Sequence, residues 1–246
     1  MRGAGGAGIG VKYLAREGAE TVGLYGSGGM ATDFLRAAVA VRPIRKVKVY
    51  SPTPANREAF AAAMRSELEI EIEVLDNPRD VTRGVDIVST CTDTLVPYLK
   101  ADWLEPGQHL TTLGGNNWEQ DVDERVDLIM TNGLGGLIPK DETQHFEVGR
   151  GHSPGAYIAG SPEEINRLPP PRPGRNAGGK KVWTYAEFAA GAAPGRTSND
   201  QITLYRAGGL QGLQFAAVGY AAYQRTKEAG LGREIPPAWY HQDIRD

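Results

Sequence analysis

The run Gly26-Ser27-Gly28-Gly29-Met30-Ala31 has the G-x-G-x-x-G/A spacing, and the chemistry of such a turn is to hold a diphosphate. At a strand-to-helix junction the first glycine permits the tight turn and the second lets the backbone approach the pyrophosphate. A small third residue lets the helix pack on the strand, while free N–H groups at the helix start face the negative charge. Gly26, Ser27, Gly28, Gly29 and Met30 are therefore candidate cofactor-binding residues, and the expected ligand is a dinucleotide. The alternative is a glycine-rich turn in an α/β domain without a ligand.

About twenty residues further on, at the end of the next expected strand, an NAD site usually carries an acidic residue that accepts from the ribose hydroxyls. This chain has Ser51 there. Ser51 and Thr53 can donate to a 2′-phosphate, and Arg57, one helical turn on, can add positive charge. NADP is thus expected over NAD, the other reading of Arg57 being a solvated charge on an exposed helix start. Thr90-Cys91-Thr92 and Leu113-Gly114-Gly115 follow later strands. Open parallel sheets bind ligands at such carboxyl ends, so Thr90, Cys91, Thr92, Leu113 and Gly114 are expected beside the nicotinamide, unless the threonines only cap the next segment. Cys91 has no neighbouring histidine and reads as a small buried residue rather than a nucleophile.

These positions make sense only on a sheet of parallel strands. Thr21–Tyr25, Lys46–Tyr50, Ile70–Val74, Ile87–Cys91, Gln108–Leu113 and Leu128–Thr131 read as strands. Ala31–Val41 and Asn56–Glu67 read as amphipathic helices between them, and the alternation predicts βαβ units in an α/β, Rossmann-type doubly wound sheet of about six strands. After Asn132 the periodicity fades into glycine- and proline-rich stretches. A further strand-like segment at Ile202–Tyr205 and a helix from about Leu210 to Ala229, ended by Gly230, close the pattern.

Composition narrows the classes. Lys+Arg 27 against Asp+Glu 30 gives a net charge of -3 with no basic stripe, so nucleic acid is not an expected partner. No apolar run reaches the ~18 to 20 residues of a membrane span. One cysteine excludes an internal disulfide framework and a cysteine-rich zinc site, and the four histidines have no metal-ligand spacing. The glycine-rich start lacks the apolar segment of a signal peptide, which leaves the cytoplasm as the default expectation.

Taken together, the residues resemble the ornithine cyclodeaminase and mu-crystallin family. The resemblance rests on Tyr13-Leu14-Ala15-Arg16, the Gly26-Ser27-Gly28 turn with Ala31, Arg42-Pro43-Ile44, and Val85-Asp86-Ile87-Val88 with Thr90 and Thr92. Trp103-Leu104 with Pro106-Gly107, and Gly195-Arg196-Thr197-Ser198 with Ile202-Thr203-Leu204, extend it over nearly the whole chain. It implies a Rossmann domain binding NAD or NADP, and hydride exchange at an amino- or imino-bearing carbon of a small imine or amino acid. It also implies that most of a substrate and dimerisation domain would precede this chain. Residues 1–18 are then a helix from that domain, 19–208 the dinucleotide-binding domain, and 209–246 a helix and tail returning toward the substrate side. A homodimer, or a partner chain supplying the missing part, is expected. So is exposed apolar surface on the first helix around Ile9, Val11 and Leu14, and on the last helix.

The same resemblance makes Arg2 and Asn116 the candidate catalytic residues. Arg2 aligns with an arginine that binds the substrate carboxylate, the alternative being a terminal arginine without a role. Asn116 stands where ornithine-cyclising members carry an aspartate. An amide does not take a proton near neutral pH, so the expectation is a ketimine or imino-acid reductase rather than an ornithine or lysine cyclodeaminase. A non-catalytic dinucleotide-binding module is the remaining alternative.

Overall fold

The computed structural model describes residues 2–94, 96–113, 117–133, 177–208 and 211–239. The chain divides into two compact units, Met1–Leu210 and Gln211–Asp246.

The first unit is built on β1 (Thr21–Tyr25), β2 (Lys46–Tyr50), β3 (Glu71–Val74), β4 (Ile87–Thr90), β5 (His109–Thr112), β6 (Leu128–Thr131), β7 (Val182–Thr184) and β8 (Thr203–Arg206). All pairs are parallel, in the order β3-β2-β1-β4-β5-β8-β6-β7. Among the described residues the sheet has eight strands where about six were expected. β8, last in the chain, lies between β5 and β6, with Thr203 opposite both His109 and Leu128. β1, the innermost strand of the first half, is buried along Val22–Tyr25, as a parallel strand covered on both faces must be. Lys46–Tyr50 alternates between half-buried and buried, matching its lysine–valine pattern.

Helices α1 (Arg2–Leu14), α2 (Gly29–Val41) and α3 (Pro54–Leu68) cover one face. Val11, Leu14, Phe34 and Leu35 there join Val22, Leu24, Val47, Val49 and Ile87 in one core cluster. On the other face, Val81, Leu99, Trp118 and Val122, the last on α4 (Gln120–Arg125), meet Tyr25, Val88, Leu110, Ile129 and Leu204. The short helix α5 (Tyr185–Ala189) follows β7 and carries a capping box in which Thr184 and Glu187 bond reciprocally.

The first helix corrects one expectation. Val11 and Leu14 are fully buried and Ile9 is partly buried, so α1 offers no exposed apolar stripe there. Its small residues explain why. A Cβ on Gly8 would lie 3.1 Å from the Cβ of Ala37, and one on Gly10 would lie 2.5 Å from the Tyr205 ring, so glycine lets α1 settle directly on α2 and β8. The second unit consists of α6 (Gln211–Glu228), closed by the left-handed Gly230, whose N–H donates to the Lys227 carbonyl, and a short turn at Pro237–Trp239. Here the expected apolar exposure is present: Leu213, Phe215, Tyr220 and Tyr223 are all exposed.

Candidate active site at the carboxyl edge of the sheet

β1 runs straight into the glycine turn. Gly26 has φ +104°, its N–H donates to the Tyr50 carbonyl at 2.8 Å, and a Cβ there would sit 2.4 Å from the Cys91 carbonyl oxygen. Two independent constraints thus require glycine: a backbone conformation that side chains resist, and a neighbouring strand end too close to admit one. Gly28 and Gly29 differ, since a Cβ on either would meet no atom within 4 Å among the described residues. Gly28 is the N-cap of α2 and supplies no side-chain cap. Its carbonyl accepts from the N–H groups of Ala31 and Thr32. The start of α2 is thus exposed from Gly28 to Met30 and has no side-chain cap, a geometry suited to an anion. Ser27 is half-buried beside it and Met30 is exposed.

The neighbouring strand ends complete the edge. Thr90 is buried, and its hydroxyl has no hydrogen-bond partner among the described residues. Cys91 is also buried, its thiol 3.4 Å from the Ser89 hydroxyl, and burial pushes the thiol's pKa up to about 12, which makes it inert as a nucleophile. The Thr92 hydroxyl donates to the Asn117 side-chain carbonyl at 2.5 Å, tying the loop after β4 to the loop after β5. Leu113 lies 3.4 Å from where a Cβ on Gly3 would stand, so the start of α1, and Arg2 with it, comes to the same edge. Gly114 and Asn116 lie outside the described residues.

At the end of β2, Ser51 is buried and Thr53 is the exposed N-cap of α3. Arg57 is not the solvated charge of the alternative reading. Its side chain is turned inward, Nη1 donating to the Ser51 carbonyl at 2.9 Å and Nη2 to the Asp76 carboxylate. Sequence reasoning missed Asp76 and Asn117. Asp76 follows β3 at the carboxyl edge, and the rule that located Ser51 and Thr92 would have found it had it been applied to the third strand. Asn117 stands next to a residue already singled out. Asp123, fully buried, accepts from Arg206 Nη2 at 2.9 Å and from Trp118 Nε1 at 3.1 Å, which fixes α4 against the end of β8.

A cavity of about 810 Å³ lies at the opposite, amino edge, lined by Lys12, Arg16, Arg42, Asp86 and Arg196 among others. Its arginines are committed to the fold. Arg42 donates to the carbonyls of Lys12, Ala15 and Arg16, and Arg196 to those of Leu14 and Gln201, so together they close the last turn of α1. Burial works against the charge of Asp86, but hydrogen bonds from the Thr21 hydroxyl, the Glu20 N–H and Arg16 outweigh it and hold the carboxyl below its usual range.

Comparison with known proteins agrees with the geometry. The model of the ornithine cyclodeaminase/mu-crystallin family matches residues 1–229. The chain belongs to this family. An uncharacterized cyclodeaminase of Sinorhizobium fredii is 29% identical over 229 residues, covering 91% of this chain and 62% of that protein. A Delta(1)-pyrroline-2-carboxylate reductase of Bacillus cereus is 24% identical over 228 residues, covering 93% and 64%. Among solved structures, the Thermococcus litoralis Delta(1)-pyrroline-2-carboxylate reductase in complex with NADH and L-proline aligns with a TM-score of 0.73 at 26% identity, covering 95% of this chain and 66% of that one. The chain thus spans a little under two thirds of the length of the Sinorhizobium fredii and Bacillus cereus relatives.

Proposed function

We propose that the carboxyl edge of the sheet binds a nicotinamide dinucleotide and that the protein is an NAD(P)-dependent oxidoreductase of C=N and CH–NH bonds, reducing the imine of an amino acid. The observation that carries this reading is the start of α2. It opens from a turn in which Gly26 is required by the fold's own packing, while Gly28 and Gly29 are required by no described protein atom, and its first turn has no side-chain cap. That is a fit for a diphosphate.

Bound in reduced form, the nicotinamide supplies a hydride to the imine carbon. The chain's own groups do the rest. The N–H groups of the α2 start, with Ser27, hold the diphosphate, and Ser51 and Thr53 offer hydroxyl donors at the ribose end, where the Arg57 charge favours NADP(H) once a 2′-phosphate takes the place of Asp76. Thr90, Cys91, Thr92, Leu113 and Gly114 flank the ring. Arg2, brought to the same edge by α1, holds the substrate carboxylate, and Asn116 hydrogen-bonds the substrate. The imine enters protonated, which makes its carbon electrophilic. Because Asn116 cannot act as a general base, reduction is favoured over cyclising deamination. The Bacillus cereus and Thermococcus litoralis reductases support that choice of chemistry.

The test is titration of the full chain with NADPH and NADH, followed by cofactor oxidation on adding a cyclic imine carboxylate such as Δ1-pyrroline-2-carboxylate. Binding with imine-dependent oxidation supports the proposal. Ammonia release from ornithine with catalytic NAD would replace it with a cyclodeaminase, and failure to bind either dinucleotide would overturn it.

A further inference from the structure

The carboxylate that the end of β2 lacks stands one strand away. β3 pairs with β2 in parallel, Val74 opposite Val49, and the Leu75 N–H donates to the Val49 carbonyl at 2.9 Å. Asp76 therefore leaves the sheet beside Ser51, at the edge where a Rossmann sheet takes the adenosine ribose. Its side chain is 94% exposed, whereas that of Arg57, with which it pairs, is 8% exposed. The guanidinium lies 5.8 Å from the centroid of the Tyr50 ring, and Nη1 is bound to the Ser51 carbonyl. Nε has no partner among the described residues. Nη2 is thus the nitrogen by which this buried cation is paired, and the anion on it is an exposed carboxylate.

We propose that Asp76 is a specificity-determining residue for the adenosine end of the dinucleotide: it occupies the guanidinium nitrogen that a 2′-phosphate would take, and so sets the relative affinity for NADP(H) and NAD(H). This rests on the nicotinamide-dinucleotide reading above. A phosphate dianion is the stronger acceptor for an arginine, but here it must displace Asp76 and approach against its charge. A ribose 2′-hydroxyl carries no charge to be repelled and can donate to the same carboxylate. Arg57 and Asp76 act as one unit, the first attracting a 2′-phosphate and the second competing with it.

Asp76→Asn removes the charge and keeps the shape, at a position exposed enough for the fold to tolerate it. Dissociation constants of NADPH and NADH, and of adenosine 2′,5′-bisphosphate against ADP, would be measured by titration on the full chain and its variants. The expected result is that the NADPH-to-NADH ratio of dissociation constants falls about tenfold in Asp76→Asn, the size of one partly screened charge contact. The shift should shrink as salt is raised. Asp76→Glu, which keeps the charge, should hold the ratio near that of the parent chain, and Arg57→Lys should move it the opposite way from Asp76→Asn. A purely structural role for the pair would weaken both dinucleotides together and leave the ratio unmoved. A ratio unchanged within twofold in Asp76→Asn, with at least one dinucleotide still bound, overturns the inference and leaves the function standing. A parent chain that binds neither overturns both.

Discussion

At the amino edge of the sheet, the last turn of α1 is closed by Arg42 and Arg196, whose guanidinium groups take the carbonyls of Lys12, Leu14, Ala15 and Arg16. At the carboxyl edge, the first turn of α2 is left to Gly28, which brings no side chain to it. Both are helix ends with backbone groups that the helix itself cannot satisfy. One is satisfied by long side chains from distant parts of the chain, and the other has no side-chain cap among the described residues. The difference teaches where function can reside: charges already bound to carbonyls lend rigidity, while a helix start without a side-chain cap offers its N–H groups to an anion. A cavity of about 810 Å³ lies at the rigid edge, where Arg42 and Arg196 in its lining are already bound to backbone carbonyls.

The sharpest way to break this comparison is within the turn itself. Gly26→Ala would force a side chain into φ +104° and place its Cβ 2.4 Å from the Cys91 carbonyl. We expect a loss of about 3 kcal/mol or more, the sum of a left-handed backbone penalty and overpacking against a strand end. Chemical denaturation would read it, and an undiminished midpoint would refute the packing argument. At the other edge, Arg196→Ala strips donors from the carbonyls of Leu14 and Gln201 and from the Thr203 hydroxyl. The expected cost is about 2 to 3 kcal/mol, because partly buried acceptors are left unmade, with no change in dinucleotide affinity. A variant of normal stability and altered affinity would reverse the roles assigned to the two edges.

His109 sharpens the amino edge further. It is fully buried on β5, its Nδ1 2.9 Å from the Thr203 hydroxyl. Burial, and then the charges of Arg196 and Arg42, depress its pKa to about 3. The folded state therefore holds this ring neutral, while the unfolded chain protonates it near pH 6.5. Below that value the unfolded state binds the extra proton, so stability falls as pH drops from about 6.5 toward 3 and is fully present above it. Between pH 7 and 5 the expected loss is about 2 kcal/mol. His109→Leu should flatten that slope, and an unchanged slope would show that other groups set the acid limit.

Legibility in the sequence divides along the same line, between local patterns and distant contacts. The strands Thr21–Tyr25, Lys46–Tyr50 and Leu128–Thr131 could be read to the residue, because burial on one or both faces of a strand is written in its own apolar pattern. The glycine turn was legible because its spacing is local. The insertion of β8 between β5 and β6 was not, since no local pattern encodes a pairing between Thr203 and residues some 75 to 94 positions away. From the sequence Arg57 reads as a charge directed outward, whereas the structure turns it inward. Its inward turn depends on Asp76, 19 residues on. Arg196 reaches Leu14 across 182 residues, and the burial of Val11 and Leu14 depends on α1 meeting α2 and β8. Nothing in the sequence of α1 distinguishes a stripe that faces its own sheet from one that faces another domain.

The smallest expected effect on the fold is the most informative about the open edge. A Cβ on Gly28 meets no atom within 4 Å among the described residues, and its φ of -90° is one any residue adopts. Gly28→Ala should therefore leave the denaturation midpoint within about 0.5 kcal/mol of the parent. The same methyl group would stand where the backbone must come close to a diphosphate. We expect dinucleotide affinity to fall about tenfold or more, since moving the phosphates back from the α2 start loses its charge-assisted hydrogen bonds. If Gly26→Ala unfolds the protein while Gly28→Ala only loses ligand, the two glycines have separate jobs, one for the turn and one for the site. A variant that lost stability at Gly28 instead would make that residue part of the framework. One that kept full affinity would remove the start of α2 from the binding site.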